Sequence, residues 1–547
     1  MVLACALSAV TTVARADTYP RQPGVDIVHY AFHLTLSDET DVIEGEAAVT
    51  FRAAQDGVAI LAVDLVQPKP EAPDRGMTVS AVTEAGKPVA FDHANDRLVM
   101  HLDPVGRANE TRTLVVRYRG IPITGLHMAP NRHREPPVFS DNRPIKARQW
   151  LPTLDHPSDK ATTEMFVTAP SHYQVVSNGR LVEEIDLEGG RRLTHWRNSV
   201  PIATWLNVLG VARFAVDHRP EWRGLPIETW VYRQDRDHGF AVFAQPTTAV
   251  LDFFSDRVGP YSYERLGNVQ ANGVRGGMES ATSIFYGDDS VNDPASPRWR
   301  NVIIHEIAHQ WFGNAVTESD WDHVWLSEGF ATYFTHLFIE HAYGRDDFLA
   351  GLRADRDAIR EFDKKEPNYR IVHDNLADMA RVTSSAGTYK KGAWTLHMLR
   401  GLIGDAAFWS GVREYYKQHR DGNATTADFR HAMEEASGRE LGWFFDQWLT
   451  RGGFLKLQAR WSYDPTAKAV RLDVEQRQAG APLRMPIEVA FEVAGEVVPR
   501  TAKIEVRNQR ESLIIPLDRA PKSLTLDPRT FVLTDTDVAP AQVSTRR

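Results

Sequence analysis

The chain has one cysteine in 547 residues, Cys5, and it lies in an apolar run at the N-terminus. No disulfide can form within the chain, and beyond that run no thiolate is available as nucleophile or metal ligand. Chemistry must rest on imidazole, carboxylate and hydroxyl groups. The cysteine count suits a periplasm and a cytosol equally. Past the N-terminus no stretch approaches the roughly 20 apolar residues of a membrane span. There is no long basic run, and the net charge of -9 argues against nucleic acid as the main partner. Internal repeats and low-complexity segments are also missing. What is present is ordinary globular composition, 42% hydrophobic and 25% charged. A chain of this length exceeds one core, so about two to four domains are expected.

Residues 1–16, MVLACALSAVTTVARA, are apolar and small and end in Ala14-Arg15-Ala16. An apolar stretch closed by A-x-A is the pattern of an export leader, which would make Asp17 the first mature residue and the protein periplasmic or secreted. No Lys or Arg precedes the apolar run, as such a leader normally requires. The alternatives are a start farther upstream, or a plain hydrophobic tail on a cytoplasmic protein.

The richest stretch is Asn301 to Phe334, NVIIHEIAHQWFGNAVTESDWDHVWLSEGFATYF. His305, Glu306 and His309 form an H-E-x-x-H pattern inside an apolar run. On a helix, residues four apart stand one turn above each other, so both imidazoles can face one metal ion with Glu306 beside them. Gly313 stands where the helix would need left-handed backbone to stop. Catalytic zinc takes three protein ligands and leaves a place for water. Glu328 is the candidate third ligand, at the start of a second helix-like stretch, Leu326 to Ile339. Two histidines on a helix face can also be core packing, and an isolated glutamate there a solvated helix-start acid.

The surroundings resemble a known family. WFGN follows His309 and WLSEGFATY surrounds Glu328, as in the aminopeptidase N and leukotriene-hydrolase family of zinc metallopeptidases. Further motifs extend the resemblance. Gly276-Gly277-Met278-Glu279-Ser280 is similar to the family's G-x-M-E-N, with Ser280 replacing Asn. Tyr389-x-Lys391-Gly392 is similar to its Y-x-K-G, and Lys146 to Thr162 to its A-R-x-x-x-P-x-x-D-x-P-x-x-K-A segment. Two departures stand out. Arg143, with Asp141 nearby, occupies the place of a Glu or Gln that helps hold the substrate's amino terminus. Thr335 stands where the family often has a second glutamate.

The resemblance implies a multidomain α+β architecture: an N-terminal β-saddle domain, a thermolysin-like mixed α/β and helical catalytic domain, and a C-terminal β-sandwich. The residues themselves give coarser limits. From about Asp26 to Val231 short alternating runs read as strands, beginning with Val28, Tyr30, Phe32, Leu34 and Leu36. Tyr173 to Leu181 carries an Asn178-Gly179 turn signal. Helical spacing starts near Phe240 and ends near Leu449. After Gly452-Gly453 alternation returns, with Leu455, Leu457 and Ala459 on one face and Ile487, Val489 and Phe491 on another. We therefore divide the chain into a leader (1–16), a β-domain (17–232), a catalytic domain (233–450) and a sandwich (451–547).

The implied activity is a zinc aminopeptidase acting on peptides with a free amino terminus. One zinc ion per chain would sit on His305, His309 and Glu328, polarising the peptide carbonyl and activating water. Glu306 would be the general base, Tyr389 the donor to the oxyanion, and Asn314 and Asp322 would orient the ligating imidazoles or close the turn. Gly276, Gly277, Met278 and Glu279 would bind the substrate, the glutamate pairing with its α-ammonium group. The same zinc site also suits an endopeptidase or an epoxide hydrolase, and a zinc-less peptide-binding scaffold is the remaining alternative.

Overall fold

A computed structural model describes residues 19–373, 378–381 and 383–541. The expected leader over residues 1–16, with Cys5 and the cut before Asp17, lies outside the described residues.

The first domain is built on an eight-stranded sheet with Val25–Thr35 near its centre. That strand pairs antiparallel with Ile43–Ala53 and parallel with Lys160–Pro170. Tyr30, Phe32 and Leu34 are buried on one face as the alternation requires. Val28 is only half-buried and Ile27 goes inward instead, because the register shifts between Ile27 and His29. The Asn178-Gly179 pair does not close a hairpin. It carries the chain from Gln174–Ser177 in a separate four-stranded sheet to Arg180–Leu187 on the edge of the large one.

The catalytic unit opens with a five-stranded sheet: Phe214–Trp222, Leu225–Tyr232, Leu266–Ala271, Ser283–Gly287 and, at the edge, the short strand Gly277–Met278. The two strands running up to Tyr232, expected in the first domain, are hydrogen-bonded into this sheet. Alternation marks a strand but cannot say which sheet it joins. Helices α1 (Arg236–Arg257) and α2 (Pro297–His309) pack on the sheet, α3 (Trp325–Tyr343) packs on α2, and α4 (Arg345–Lys365) and α5 (Gly392–Ile403) pack on α3. The helix expected from Leu326 to Ile339 is thus longer at both ends.

After residue 454 a four-stranded sheet, containing Leu455–Asp464, and a three-stranded sheet, containing Met485–Val493, face each other as a sandwich. Its apolar interior is continuous with that of the helices, from Trp448 and Leu449 through Phe454 to Leu533, whereas the first domain shares a second core with the other face of the five-stranded sheet, including Trp230, Val269 and Phe285. The first domain is fastened to the catalytic unit by polar contacts as well. Lys160 donates to the carbonyls of Asn314, Ala315 and Gly422 at 2.9, 3.0 and 3.2 Å. No described helix is long and apolar enough to cross a membrane.

Candidate active site

Helix α2 starts at Ser296, whose hydroxyl accepts from the Trp299 amide at 3.4 Å, with Pro297 in the first turn where its missing N–H costs nothing. Ile303, Ile304, Ile307 and Ala308 bury one face of it. His305, Glu306 and His309 therefore stand on the face toward a cavity of about 450 Å³. The helix ends at His309 itself. Gly313, expected to terminate it directly, lies in the following turn with φ of +111°, where an added Cβ would strike the Ser327 hydroxyl.

Helix α3 brings Glu328 to the same point. His305 Nε2 and His309 Nε2 lie 3.0 Å apart, and each is 3.3 Å from Glu328 Oε2. Three donors each about 2.0–2.1 Å from a tetrahedral zinc would be separated by about 3.3 Å. His309 Nδ1 donates to the Phe312 carbonyl at 3.0 Å and lies 3.1 Å from the Ser327 hydroxyl, so its Nε2 presents a bare lone pair to the site. The donor set fits one zinc ion. Of the two roles expected for Asn314, its side chain does not take the first, holding this imidazole, while its backbone N–H closes the turn onto the His309 carbonyl at 3.1 Å. Its side chain donates 2.6 Å to the backbone carbonyl of Glu279, which Gln310 also reaches at 3.1 Å.

Glu306 is buried, and burial together with the Glu279 carboxylate holds its carboxyl well above the ordinary range. It lies against Gly277 so closely that a Cβ there would meet its Oε1 at 2.2 Å. Glu279, 2% exposed, follows the edge strand Gly277–Met278 and has Oε1 4.0 Å from His309 Nε2. Gly276 and Gly277 line the cavity with Glu279, whereas Met278 points into the core of the first domain.

Tyr389 arrives on a π-helical turn, Ser385–Lys391. Its ring lies parallel to that of His305, centroids 6.0 Å apart. Burial pushes its phenol well above the ordinary pKa, and the Glu328 carboxylate adds to this. The turn can approach because Gly392 and Gly329 touch backbone to backbone. An added Cβ on Gly329 would sit 3.0 Å from the Gly392 Cα. The glycines after Glu328 and after Lys391 are one contact.

Arg143 is inside the site. Its Nη1 pairs with Glu279 Oε1 and with Glu328 Oε1, and its guanidinium lies 5.2 Å from the centroid of the Trp205 ring. Asp141 is turned away toward Lys146. Thr335 lines the cavity but spends its hydroxyl on the Ala331 carbonyl of its own helix, at 2.8 Å.

Sequence reasoning missed two groups. Glu318 is fully buried at the end of the short strand Val316–Glu318, both carboxylate oxygens lack a hydrogen-bond partner, and burial raises its pKa to about 8. At the opposite end of the cavity His336 Nε2 and Lys390 Nζ both meet Asp355, at 2.7 and 2.6 Å. His336 was within reach of inference, since it lies eight residues past Glu328 on the same helix, a little over two turns.

Comparison with known proteins places the chain among zinc peptidases. The Peptidase M1 N-terminal domain matches residues 27–206 and the Peptidase family M1 domain matches residues 244–448. Glutamyl aminopeptidase of Bitis rhinoceros is 28% identical over 477 residues, covering 83% of this chain and 49% of its own length. That of Bos taurus is 31% identical over 353 residues, covering 60% and 36%. The chain thus spans about half the length, or less, of the curated relatives it matches. Among solved structures, the M1 zinc metallopeptidase of Deinococcus radiodurans superposes with a TM-score of 0.67 at 26% identity, covering 78% of this chain and 94% of that one. Aminopeptidase A of Legionella pneumophila, in complex with aspartic acid, shares the fold with a TM-score of 0.79 at 19% identity, over 95% of this chain and 60% of that one. With both domains matched in order and three candidate metal ligands assembled inside the second, the chain belongs to peptidase family M1.

Proposed function

We propose that this chain is a zinc-dependent aminopeptidase that removes N-terminal residues from peptides. The observation that carries the reading is Glu279, a buried carboxylate at one end of the metal-site cavity, where a peptide's α-ammonium group would end. An endopeptidase needs no such acid beside its metal. The relatives named glutamyl aminopeptidase, and the Deinococcus radiodurans enzyme solved with a Tyr-Ser-Ala substrate, support the same class.

His305, His309 and Glu328 would hold the zinc, which when bound supplies a Lewis acid that polarises a carbonyl and acidifies water. Glu306 takes a proton from the attacking water and returns it to the leaving amine. Tyr389 donates a hydrogen bond to the carbonyl oxygen as negative charge builds there. Glu279 fixes the free amine, and Gly276 and Gly277 keep the wall beside it low enough for the substrate backbone. The partners are peptides with a free amino terminus. We place the domain divisions near 213 and 450, so that the Phe214–Tyr232 strands go with the catalytic sheet, and read residues 1–16 as an export leader.

The test uses zinc-loaded protein with amino-acid anilides and with one peptide in free and N-acetylated forms. Hydrolysis of the anilides and free peptide only, abolished by chelator, is expected. Glu306→Gln should keep one zinc per chain and lose about a hundredfold or more of turnover. Cleavage of the acetylated peptide at internal bonds would move the assignment to an endopeptidase.

A further inference from the structure

Arg143 lies where the amine anchor works, and the notable fact is what it already holds. One guanidinium nitrogen, Nη1, is shared by Glu279, the proposed anchor, and Glu328, a zinc-ligating residue. The other two, Nε and Nη2, are buried and have no hydrogen-bond partner. A guanidinium in such a place ordinarily finds acceptors for its remaining donors. The side chain is also held in position. It stacks on Trp205, and the preceding Asn142 is locked by Trp150 Nε1 at 2.8 Å and the Asn207 carbonyl at 2.7 Å.

Resting on the aminopeptidase reading above, we propose that Arg143 makes the cleft selective for an acidic N-terminal residue, Glu or Asp. The argument is one of partner exchange. An incoming α-ammonium group competes with Arg143 for Glu279. A substrate that brings only that positive charge loosens a buried ion pair from one side and leaves the guanidinium short of a partner. An acidic N-terminal residue brings both charges: its ammonium goes to Glu279 and its carboxylate to Arg143, whose planar fork matches a carboxylate with two parallel hydrogen bonds. Because Nε and Nη2 are out of solvent, meeting the carboxylate takes a rotation of the guanidinium over the Trp205 ring, while the Asn142 contacts keep the backbone in place. A basic N-terminal side chain meets like charge and is the poorest substrate. The other cations on the cavity wall do not compete for this role. Lys390 is paired with Asp355 at the far end, and Arg275 is exposed on the rim.

The experiment compares Glu, Gln, Leu and Lys anilides with zinc-loaded wild type, Arg143→Gln and Arg143→Lys, with zinc content measured for each. Calorimetry of free glutamate against free glutamine gives a readout independent of turnover. The wild type should prefer Glu over the isosteric Gln by about tenfold or more in kcat/KM, and bind glutamate more tightly. Arg143→Gln should bring that ratio close to one, chiefly through KM, and Arg143→Lys should keep part of it. Equal use of Glu and Gln by the wild type, or an unchanged ratio in Arg143→Gln, overturns the proposal. If Arg143→Gln does not fold or loses zinc, the wild-type ratio and Arg143→Lys decide in its place. Inactivity of zinc-loaded wild type on all four anilides would remove the aminopeptidase reading instead, and the calorimetric comparison would still judge Arg143.

Discussion

At the scale of single residues, the site depends on side chains that are absent as much as on those present. Gly277 leaves the space that the Glu306 carboxylate fills, with 2.2–2.3 Å between its virtual Cβ and that side chain. Gly277→Ala should therefore push Glu306 off its position and cut turnover by about a hundredfold, the usual worth of a general base. Zinc content and melting temperature should change little, because the displaced carboxyl faces a cavity. Near-normal turnover in the zinc-loaded variant would show that the base has room to spare. Tyr389→Phe removes only a hydroxyl. Loss of one oxyanion donor predicts turnover lower by about a hundred- to a thousandfold with KM nearly unchanged. A raised KM with normal kcat would make Tyr389 a binding residue.

At the scale of elements, the site is a meeting of five pieces: the edge strand Gly277–Met278, helices α2 and α3, the π-helical turn Ser385–Lys391, and a first-domain loop carrying Arg143. The first domain must not drift if that loop is to stay aimed. Lys160 supplies one fastening through its three carbonyl contacts, although burial pulls its pKa down to about 7. Lys160→Met should remove a donor from those carbonyls, of which Asn314 keeps only the Thr317 hydroxyl, and destabilise the protein by about 2–4 kcal/mol, less what the buried charge itself costs. Urea unfolding at pH 7 measures this. An unchanged midpoint would mean that the apolar contacts alone hold the domains.

At the scale of the whole molecule, His397 joins the helices to the sandwich. Its Nε2 lies 2.8 Å from the Thr530 carbonyl, which only accepts, so Nε2 carries the proton and Nδ1 accepts from the Tyr333 hydroxyl at 3.0 Å. Both bonds are satisfied by the neutral ring, and burial lowers its pKa to about 3. An unfolded histidine takes its proton near pH 6.5. Between those values the unfolded chain binds more protons, so this contribution is complete above about pH 6.5 and is lost as pH falls toward 3. It amounts to as much as roughly 5 kcal/mol. His397→Asn should be less stable at pH 7 and should lose less stability than wild type between pH 7 and 5. Parallel pH dependence of the two urea midpoints would exclude the role.

The amino-acid sequence by itself determined the local chemistry. Two imidazoles four apart on a helix, a carboxylate at the head of the next helix, a lone tyrosine before Lys390-Lys391 and the period-two runs of both β-domains are all set by short-range spacing, which a linear chain displays. Tertiary structure alone decided the rest, because it depends on residues far apart in sequence. Arg143 and Glu279 are 136 residues apart and Glu328 lies further on, so the shared guanidinium could not be read from any one motif. The Phe214–Tyr232 strands look like those before them, and only their hydrogen-bond partners assign them to the catalytic sheet. Glu318 resembles any acid in a turn until the closed fold takes it out of water. Burial and partnership are properties of the folded molecule, and they decide which of its charges does the chemistry.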